Sequence, residues 1–273
     1  MTCTVVTAIY PIKSKFSILK YLEWGNTFLK LESPIVLFTE ENLVEDIKRL
    51  RGNKPIQIIV IPFDELDTWK LYKDKWVEHH TFDPERNIHT PELYAIWAQK
   101  AFFVEKAIQQ NFFNTEHFFW CDFGAFRNPN ISQSILASFP TIDKFPKNIL
   151  LLQSIGDLLE EDILCKEDGI PGIKEWHSGK NDRLVGGLWG GDIIACLNWK
   201  AAYQKMLEIY FKIGRFAGKD QNVMLSSYLQ NPELAIVVKP TKLDIDCWFH
   251  FHYLLSTENV EFKENITYKI PLT

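Results

Sequence analysis

The N-terminal part of the chain, residues 4–61, alternates between strand-like and helix-like hydrophobic patterns, and this alternation constrains the fold more than any other feature. Residues 4–10 form a β-branched run that stops before Pro11, as buried strands do. Helical spacing follows at residues 14–31 and 42–50, and further strand patterns lie at 35–38 and 56–61. Strands that alternate with helices favour a parallel sheet. The sequence therefore predicts an α/β fold with a mostly parallel central sheet flanked by helices.

The pattern then changes at residues 64–90, which are rich in Trp, His, Lys and Asp and are interpreted as an excursion over the sheet. Thr90 and Pro91 begin the best-defined helix, with Thr90 as the N-cap and the last turn near Gln110. Strand patterns follow at 118–121, 149–153 and 234–238, and a helix pattern at 220–229. Because no Pro/Gly/Ser-rich linker divides the chain, we expect residues 1–273 to form one domain.

Composition and charge restrict the class of protein. With 46% hydrophobic and 24% charged residues the chain is typical of a globular protein. A net charge of -5 with scattered Lys and Arg argues against a nucleic-acid partner. No run approaches the roughly 20 apolar residues of a membrane span, so we expect no transmembrane segment. The five cysteines are odd in number, widely spaced and mostly set in apolar runs, which predicts buried free thiols and a cytoplasmic location.

Asp122 is the first candidate site residue, because it ends the apolar run 118–121 and precedes Phe123 and Gly124. Open α/β sheets bind ligands at the carboxyl ends of their strands. A carboxylate there can hold Mg²⁺ or Mn²⁺ together with substrate phosphates. The alternative is a strand-terminal Asp that caps a turn. The pattern alone leaves both open.

A glycine-dense segment, residues 185–192, is the second candidate. It is not a dinucleotide fingerprint, since Leu188 stands where G-x-G-x-x-G needs glycine, and the chain has no P-loop sequence. Nicotinamide and kinase chemistry therefore lose support.

Two segments resemble the HtrL/YibB family: residues 93–100 (LYAIWAQK) and 118–127 (FFWCDFGAFR). Residues 4–10, 21–24, 38–39 and 248–249 are similar to the family too, so the resemblance covers most of the chain. The family's organisation looks like that of GT-A glycosyltransferases, in which an Asp-x-Asp motif at a strand end binds the metal and the sugar nucleotide. The resemblance thus implies a single GT-A-like, Rossmann-like domain, with a donor-binding part at about 1–127 and an acceptor-side part at about 128–273.

On the donor side, the resemblance implies a nucleotide-diphosphate sugar bound with a divalent cation, Mn²⁺ or Mg²⁺. Trp120 and Gly124 stand where the motif would place a second carboxylate, so Asp122 is alone. His250 and His252 are candidates to complete the metal shell, or else they are polar tips in an aromatic cluster. The implied donor-binding residues are Thr7, Tyr10, Lys100, Asp122 and Arg127.

On the acceptor side, the glycine-dense segment resembles the acceptor loop of GT-A enzymes, with Trp189 stacked on a sugar. The implied acceptor-binding residues are Gly187, Trp189, Gly190 and Gln221. The alternative is a pair of tight turns around a core indole. Asp220 is the candidate general base and Asp192 its competitor, although a helix N-cap is the other interpretation of Asp220.

The function implied is transfer of a sugar from its nucleoside diphosphate to a hydroxyl of a glycan or similar acceptor. The missing second carboxylate motivates the alternative, a catalytically silent carbohydrate- or nucleotide-binding protein on the same scaffold. A metal-dependent hydrolase of sugar nucleotides is a third possibility.

Overall fold

The computed structural model describes residues 2–175, 182–241, 245–258 and 265–267. Its centre is one sheet with the strand order β3-β2-β1-β4-β6-β5-β7-β8. The strands are β1 (Cys3–Ile9), β2 (Ile35–Thr39), β3 (Ile56–Val60), β4 (His117–Cys121), β5 (Leu150–Ser154), β6 (Leu184–Asp192), β7 (Ala235–Pro240) and β8 (Asn265–Thr267). The α-helices are α1 (Ile18–Phe28), α2 (Val44–Arg51), α3 (Asp67–His80), α4 (Pro91–Gln110), α5 (Gln133–Ser138), α6 (Glu160–Ile163), α7 (Ile193–Ile213), α8 (Asp220–Gln230) and α9 (His250–Leu254).

Strand directions confirm the predicted fold class. The pairs β1–β2, β2–β3, β1–β4 and β5–β7 are parallel, whereas β6 is antiparallel to both of its neighbours, β4 and β5. Because β6 runs in reverse, its first residues lie beside the last residues of β4: Cys121 pairs with Leu188. The carboxyl end of β4 and the beginning of β6 therefore share one edge of the sheet.

Helices cover both faces of the sheet. Successive residues of a strand point to opposite sides, and in β4 the residues on both sides are apolar. Phe118 and Trp120 pack in the core formed with α3, α4, α7 and α8, whereas Phe119 and Cys121 pack in the core formed with α1, α2, α5 and α9. Within the described ranges, no helix is long and apolar enough to cross a membrane. All five cysteines are free thiols, as predicted, but Cys165 and Cys247 are exposed rather than buried.

Helix α4 begins as predicted. The Thr90 side chain accepts a hydrogen bond from the Leu93 amide, and Pro91 occupies the first turn. The helix ends at Asn111, whose φ of 35° is in the left-handed region that C-caps adopt.

Residues 64–90, interpreted as an excursion over the sheet, contain α3, which packs against α4 through the buried Trp76. One prediction about secondary structure was wrong. The glycine-dense segment is not a loop, since Leu184–Asp192 is the central antiparallel strand β6.

Candidate active site

Lys100 connects three elements at the carboxyl edge of β4. It lies in α4, and its Nζ is 2.8 Å from Asp220 Oδ2, 3.0 Å from the Gly186 carbonyl oxygen and 3.3 Å from Asp122 Oδ1. Since α4 ends shortly before β4 begins, the N-terminal half of the helix faces the carboxyl ends of the strands. One side chain thus ties α4 to β6, to α8 and to the residue that follows β4.

The electrostatic balance keeps Lys100 charged. Burial opposes its positive charge, but the attraction of Asp122 and Asp220 outweighs that effect and raises the pKa of Lys100. An ammonium group has three N–H donors, and all three have acceptors within the protein. Lys100 was predicted to bind the diphosphate. In the structure Lys100 is the counter-ion of two carboxylates, those of Asp122 and Asp220.

Asp122 is the more accessible of those two carboxylates, with 43% of its side chain exposed against 6% for Asp220. Its Oδ1 accepts a hydrogen bond of 2.7 Å from Trp120 Nε1, and its backbone amide donates to the Gly187 carbonyl oxygen over 2.9 Å. The indole two residues earlier thus orients the carboxylate, and β6 fixes its backbone.

The first two glycines of the glycine-dense segment are required by these carboxylates. A Cβ at Gly186 would lie 2.7 Å from Asp220 Oδ2, and one at Gly187 would lie 2.7 Å from Asp122 Oδ2. No side chain fits at either position without displacing a charged group. Gly187 therefore does belong to the site, as a strand residue under Asp122.

Asp220 begins α8, but it does not serve as the helix N-cap. Lys219 is the N-cap residue and makes no capping hydrogen bond with its side chain. The Asp220 carboxylate is instead committed to Lys100, and its Oδ1 accepts from the Gln221 amide over 3.0 Å. The Gln221 side chain donates to the Leu184 carbonyl oxygen over 2.5 Å, which anchors the first residue of β6 rather than an acceptor.

Arg127 supplies an exposed positive charge five residues after Asp122. Its Nε donates to the Gly124 carbonyl oxygen over 3.2 Å, and its guanidinium lies 4.4 Å from the Trp24 ring centre. The rings of Phe249 and Phe16 lie 5.3 and 5.7 Å away. Within the part of the chain that the structure describes, Arg127 has no carboxylate partner. Aromatic stacking therefore positions a cation whose outer nitrogens remain for a ligand.

The model of a family described as "Bacterial protein of unknown function (HtrL_YibB)" matches residues 4–251. The chain belongs to this family. Protein HtrL of Escherichia coli (strain K12) is 24% identical over 228 residues, which cover 78% of this chain and 75% of that protein. The resemblance found in the sequence is thereby confirmed.

Two solved structures are similar in outline to this HtrL/YibB chain. Mouse xyloside xylosyltransferase 1, in its apo form, has a TM-score of 0.47 and 12% identity, covering 86% of this chain and 84% of that one. Core-mannan synthase A from Aspergillus fumigatus, in a Mn/GDP form, has a TM-score of 0.43 and 10% identity, covering 84% and 69%. At TM-scores below 0.5, these likenesses assign neither donor nor acceptor to the family member described here.

Thr7 and Tyr10, implied as donor-binding residues, are both buried. Thr7 lies within β1 with no exposed surface, and its Oγ1 has no hydrogen-bond partner among the described residues. The Tyr10 hydroxyl donates to the Ile61 carbonyl oxygen over 3.1 Å, and its ring stacks on Phe103. Their contacts belong to the core of this HtrL/YibB chain.

The prediction that Trp189 lies on an acceptor rim was wrong. Its side chain is 2% exposed, because β6 places it opposite Trp120 in the core beneath α4 and α7. Gly190 is likewise a packing residue: a Cβ there would lie 2.5 Å from the Phe118 carbonyl oxygen. The alternative interpretation, that Trp189 is a core indole, was correct. The glycines around it belong to a paired strand and not to tight turns.

Asp192 lies at the opposite edge of the sheet from Asp122. It pairs with His117 at the start of β4, whereas Asp122 follows the end of that strand, about 17 Å away at roughly 3.3 Å per residue. Its two carboxylate oxygens accept from the Ala195 amide (2.8 Å) and the Asn148 amide (2.6 Å). Asp192 is the N-cap of α7, and the structure does not bring it together with Asp122 and Lys100.

The two histidines implied as metal ligands are both buried around α9. His252 is 2% exposed and stacks on Phe126 with 3.9 Å between ring centres, and burial lowers its pKa to about 3. His250 is 5% exposed, and its Nε2 lies 3.1 Å from the Ile245 carbonyl oxygen. Among the described residues no group of three or more His, Cys, Asp or Glu side chains is arranged to hold a metal. Of the three predicted metal ligands, Asp122 alone has a side chain that a ligand can reach, since 43% of it is exposed.

Trp97 is a residue of this site that the sequence did not single out. It lies one helical turn before Lys100 and, with Lys100, Asp220 and Trp189, lines a small cavity of about 10 Å³. In the sequence, the one feature that connects Trp97 with Lys100 is their i, i+3 spacing, which places them on one face of the helix. Core residues have the same spacing, so it does not identify a site residue.

Proposed function

We propose that the chain is a glycosyltransferase, which transfers a sugar from a nucleoside diphosphate to a hydroxyl group of a glycan or similar acceptor. The observation that carries the proposal is the cluster of Asp122, Lys100 and Asp220, with the exposed Arg127 five residues after Asp122. This cluster lies at the carboxyl edge of an open α/β sheet, where ligands ordinarily bind. The two structurally similar proteins, a xylosyltransferase and a mannan synthase, are named for the same class of reaction.

The donor's diphosphate is proposed to lie between Asp122 and Arg127. Mg²⁺ and Mn²⁺ are commonly held by one or two carboxylates together with substrate phosphates. Lys100 and Trp120 cover Asp122 Oδ1 and Oδ2 lies against Gly187, but 43% of the Asp122 side chain is exposed, so the residues fit an ion that the carboxylate reaches from the solvent side. A bound cation would neutralise the departing diphosphate. Arg127 adds a charged donor for its oxygens.

In the transfer step, the bond between the anomeric carbon and the diphosphate oxygen breaks, and the acceptor oxygen bonds to that carbon. The electron pair of the broken bond leaves with the diphosphate, and the acceptor hydroxyl loses its proton. We assign this proton to Asp220, the carboxylate next to Asp122, which Lys100 holds in place. The neighbouring ammonium also stabilises negative charge that develops at the site.

The first test is thermal unfolding with UDP, GDP, ADP or CDP at millimolar concentration, with and without Mn²⁺. A ligand at 100 times its Kd stabilises the folded state by about 2.7 kcal/mol, and each kcal/mol raises the Tm by roughly 2–4 °C at this size. We therefore expect a rise of about 5–10 °C for one nucleotide. Asp122→Asn removes the part that depends on Mn²⁺, whereas Asp192→Asn, the matched carboxylate at the other edge, retains it. No shift of the unaltered protein with any nucleoside diphosphate would contradict the proposal.

Turnover then separates the transferase from its alternatives. Release of nucleoside diphosphate from a panel of sugar nucleotides is measured with and without added glycans. Release that depends on the acceptor supports transfer, and release without an acceptor supports a hydrolase. Binding without release would favour the catalytically silent binding protein, which the single carboxylate at Asp122 also suits.

A further inference from the structure

Trp97 forms part of the wall of the candidate site on the side of α4. It is partly exposed and precedes Lys100 by one turn of the helix. A rise of about 1.5 Å per residue places it some 4.5 Å nearer the N-terminus of α4, which is the direction of the open edge of the sheet. With Lys100 and Asp220 it also lines a small buried cavity of about 10 Å³. A partly exposed indole therefore stands beside the charged cluster, on the side of the N-terminus of α4.

The orientation of this indole is fixed by its neighbours. The His89 ring meets it edge-on, with 5.1 Å between ring centres and an angle of 79°, and Tyr94 lies 6.2 Å away. Both neighbours are themselves held by the fully buried Asp83: His89 Nδ1 lies 2.8 Å from its Oδ2, and the Tyr94 hydroxyl donates to the same atom over 2.5 Å. A binding surface built in this way loses little side-chain entropy when a ligand binds.

Besides its core contacts, the indole has a lysine over its ring. Lys219 Nζ lies 5.5 Å from the Trp97 ring centre, within the range of a cation–π contact. Lys219 is also the residue directly before Asp220. A flat apolar face, an ammonium donor and a carboxylate acceptor thus lie together, and a pyranose ring offers the matching apolar face and hydroxyl groups.

We propose that Trp97 is the platform on which the acceptor sugar stacks, with Lys219 donating a hydrogen bond to one of its hydroxyls. This inference rests on the proposed glycosyl transfer and deepens it. The diphosphate is assigned to Asp122 and Arg127, and Arg127 lies against Trp24 of α1, whereas Trp97 lies on α4. A sugar on Trp97 would consequently lie on the Asp220 side of the cluster, whereas Arg127 lies on the side of α1. Trp97 takes the role that the sequence had given to Trp189.

The experiment uses three variants of the full chain: Trp97→Ala, Trp97→Phe and Trp69→Ala. Trp69 is a matched control, because it is also a partly exposed indole with a lysine, Lys73 Nζ, 5.4 Å from its ring centre, but it lies in α3 and does not line this cavity. Each protein is applied to an array of printed oligosaccharides in the presence of UDP or GDP with Mn²⁺. The thermal shift produced by the nucleotide is measured on the same samples.

We expect the unaltered protein to bind at least one glycan, and Trp97→Ala to bind it about tenfold more weakly, as the loss of a stacked ring implies. Trp97→Phe retains a ring and loses less, and Trp69→Ala binds normally. Equal glycan binding by Trp97→Ala and the unaltered protein overturns the inference, as does an equal loss in Trp69→Ala or a lack of glycan binding by the unaltered protein. The nucleotide shift separates the two proposals: if it is present, only the role of Trp97 has failed, and if it is absent, glycosyl transfer has failed as well.

Discussion

Removal of the Lys100 charge is the perturbation that tests the site most directly. Lys100→Met keeps most of the length of the side chain and removes the ammonium. The side chains of Lys100 and Asp220 are 8% and 6% exposed, so the variant leaves the Asp220 carboxylate buried without its counter-ion. The loss of one partner from a buried ion pair costs about 3–5 kcal/mol. At roughly 2–4 °C per kcal/mol, the Tm should fall by about 10 °C.

The assay is urea unfolding at pH 7, followed by circular dichroism, which reports the free energy of unfolding of each variant. Lys106→Met is the matched control on the same helix. Its partner Asp67 lies 3.2 Å away, and the two side chains are 34% and 35% exposed, so the loss should stay below about 1 kcal/mol. Adding Asp220→Asn to Lys100→Met should recover stability, since a neutral amide needs no counter-ion.

Two results would refute this reasoning. A loss below about 1 kcal/mol in Lys100→Met would mean that water, and not Lys100, compensates the charge of Asp220. A double variant no more stable than Lys100→Met would mean that the two side chains do not interact energetically.

Two further predictions concern residues whose roles the structure separates. Asp220→Asn should lower turnover by about 10²- to 10⁴-fold, whereas Asp192→Asn, which retains a capping side chain, should leave it near normal; the reverse pattern in initial rates would return the base to Asp192. The pKa of His252 is lowered to about 3, so its contribution to stability is present above its ordinary value of 6.5 and is lost as the pH falls towards 3. His252 accounts for about 2 kcal/mol of the loss between pH 7 and pH 5, and His252→Phe should reduce the loss in urea unfolding by that amount. The remaining part is expected from His79, whose pKa burial lowers to about 4; an equal loss in the variant and in the unaltered protein would show that His252 is not a cause.

The sequence was sufficient where the determinant of structure is local. The first strands, the N-cap of α4 at Thr90 and the position of Asp122 at a strand end all follow from hydrophobic spacing and from the residues at element ends. The pairing of Lys100 with Asp220 was beyond such reasoning, because the two residues are 120 positions apart. Neither segment carries a local pattern that identifies its partner.

Glycine in β6 misled the prediction for a physical reason. Glycine weakens an isolated strand and favours turns, so its density near Trp189 indicated a loop. In the structure, three of these glycines leave no room for a side chain because a group from another element lies against them. That group is the Asp220 carboxylate at Gly186, the Asp122 carboxylate at Gly187 and the β4 backbone at Gly190. The reason for glycine thus lies in tertiary contacts that single-sequence patterns do not contain.

The missing half of the Asp-x-Asp motif also has an explanation in these contacts. Trp120, two residues before Asp122, donates a hydrogen bond of 2.7 Å to its Oδ1, so an indole orients the carboxylate where the motif would place a second acid. Asp220 is near in space, but Lys100 occupies its outer oxygen. With one ammonium and two carboxylates the cluster carries a net charge of about -1, which alone would repel a diphosphate. The proposed glycosyl transfer would consequently require cations beyond Lys100, and the donor's phosphates, with Asp122, would have to supply most of the ligands for any metal ion.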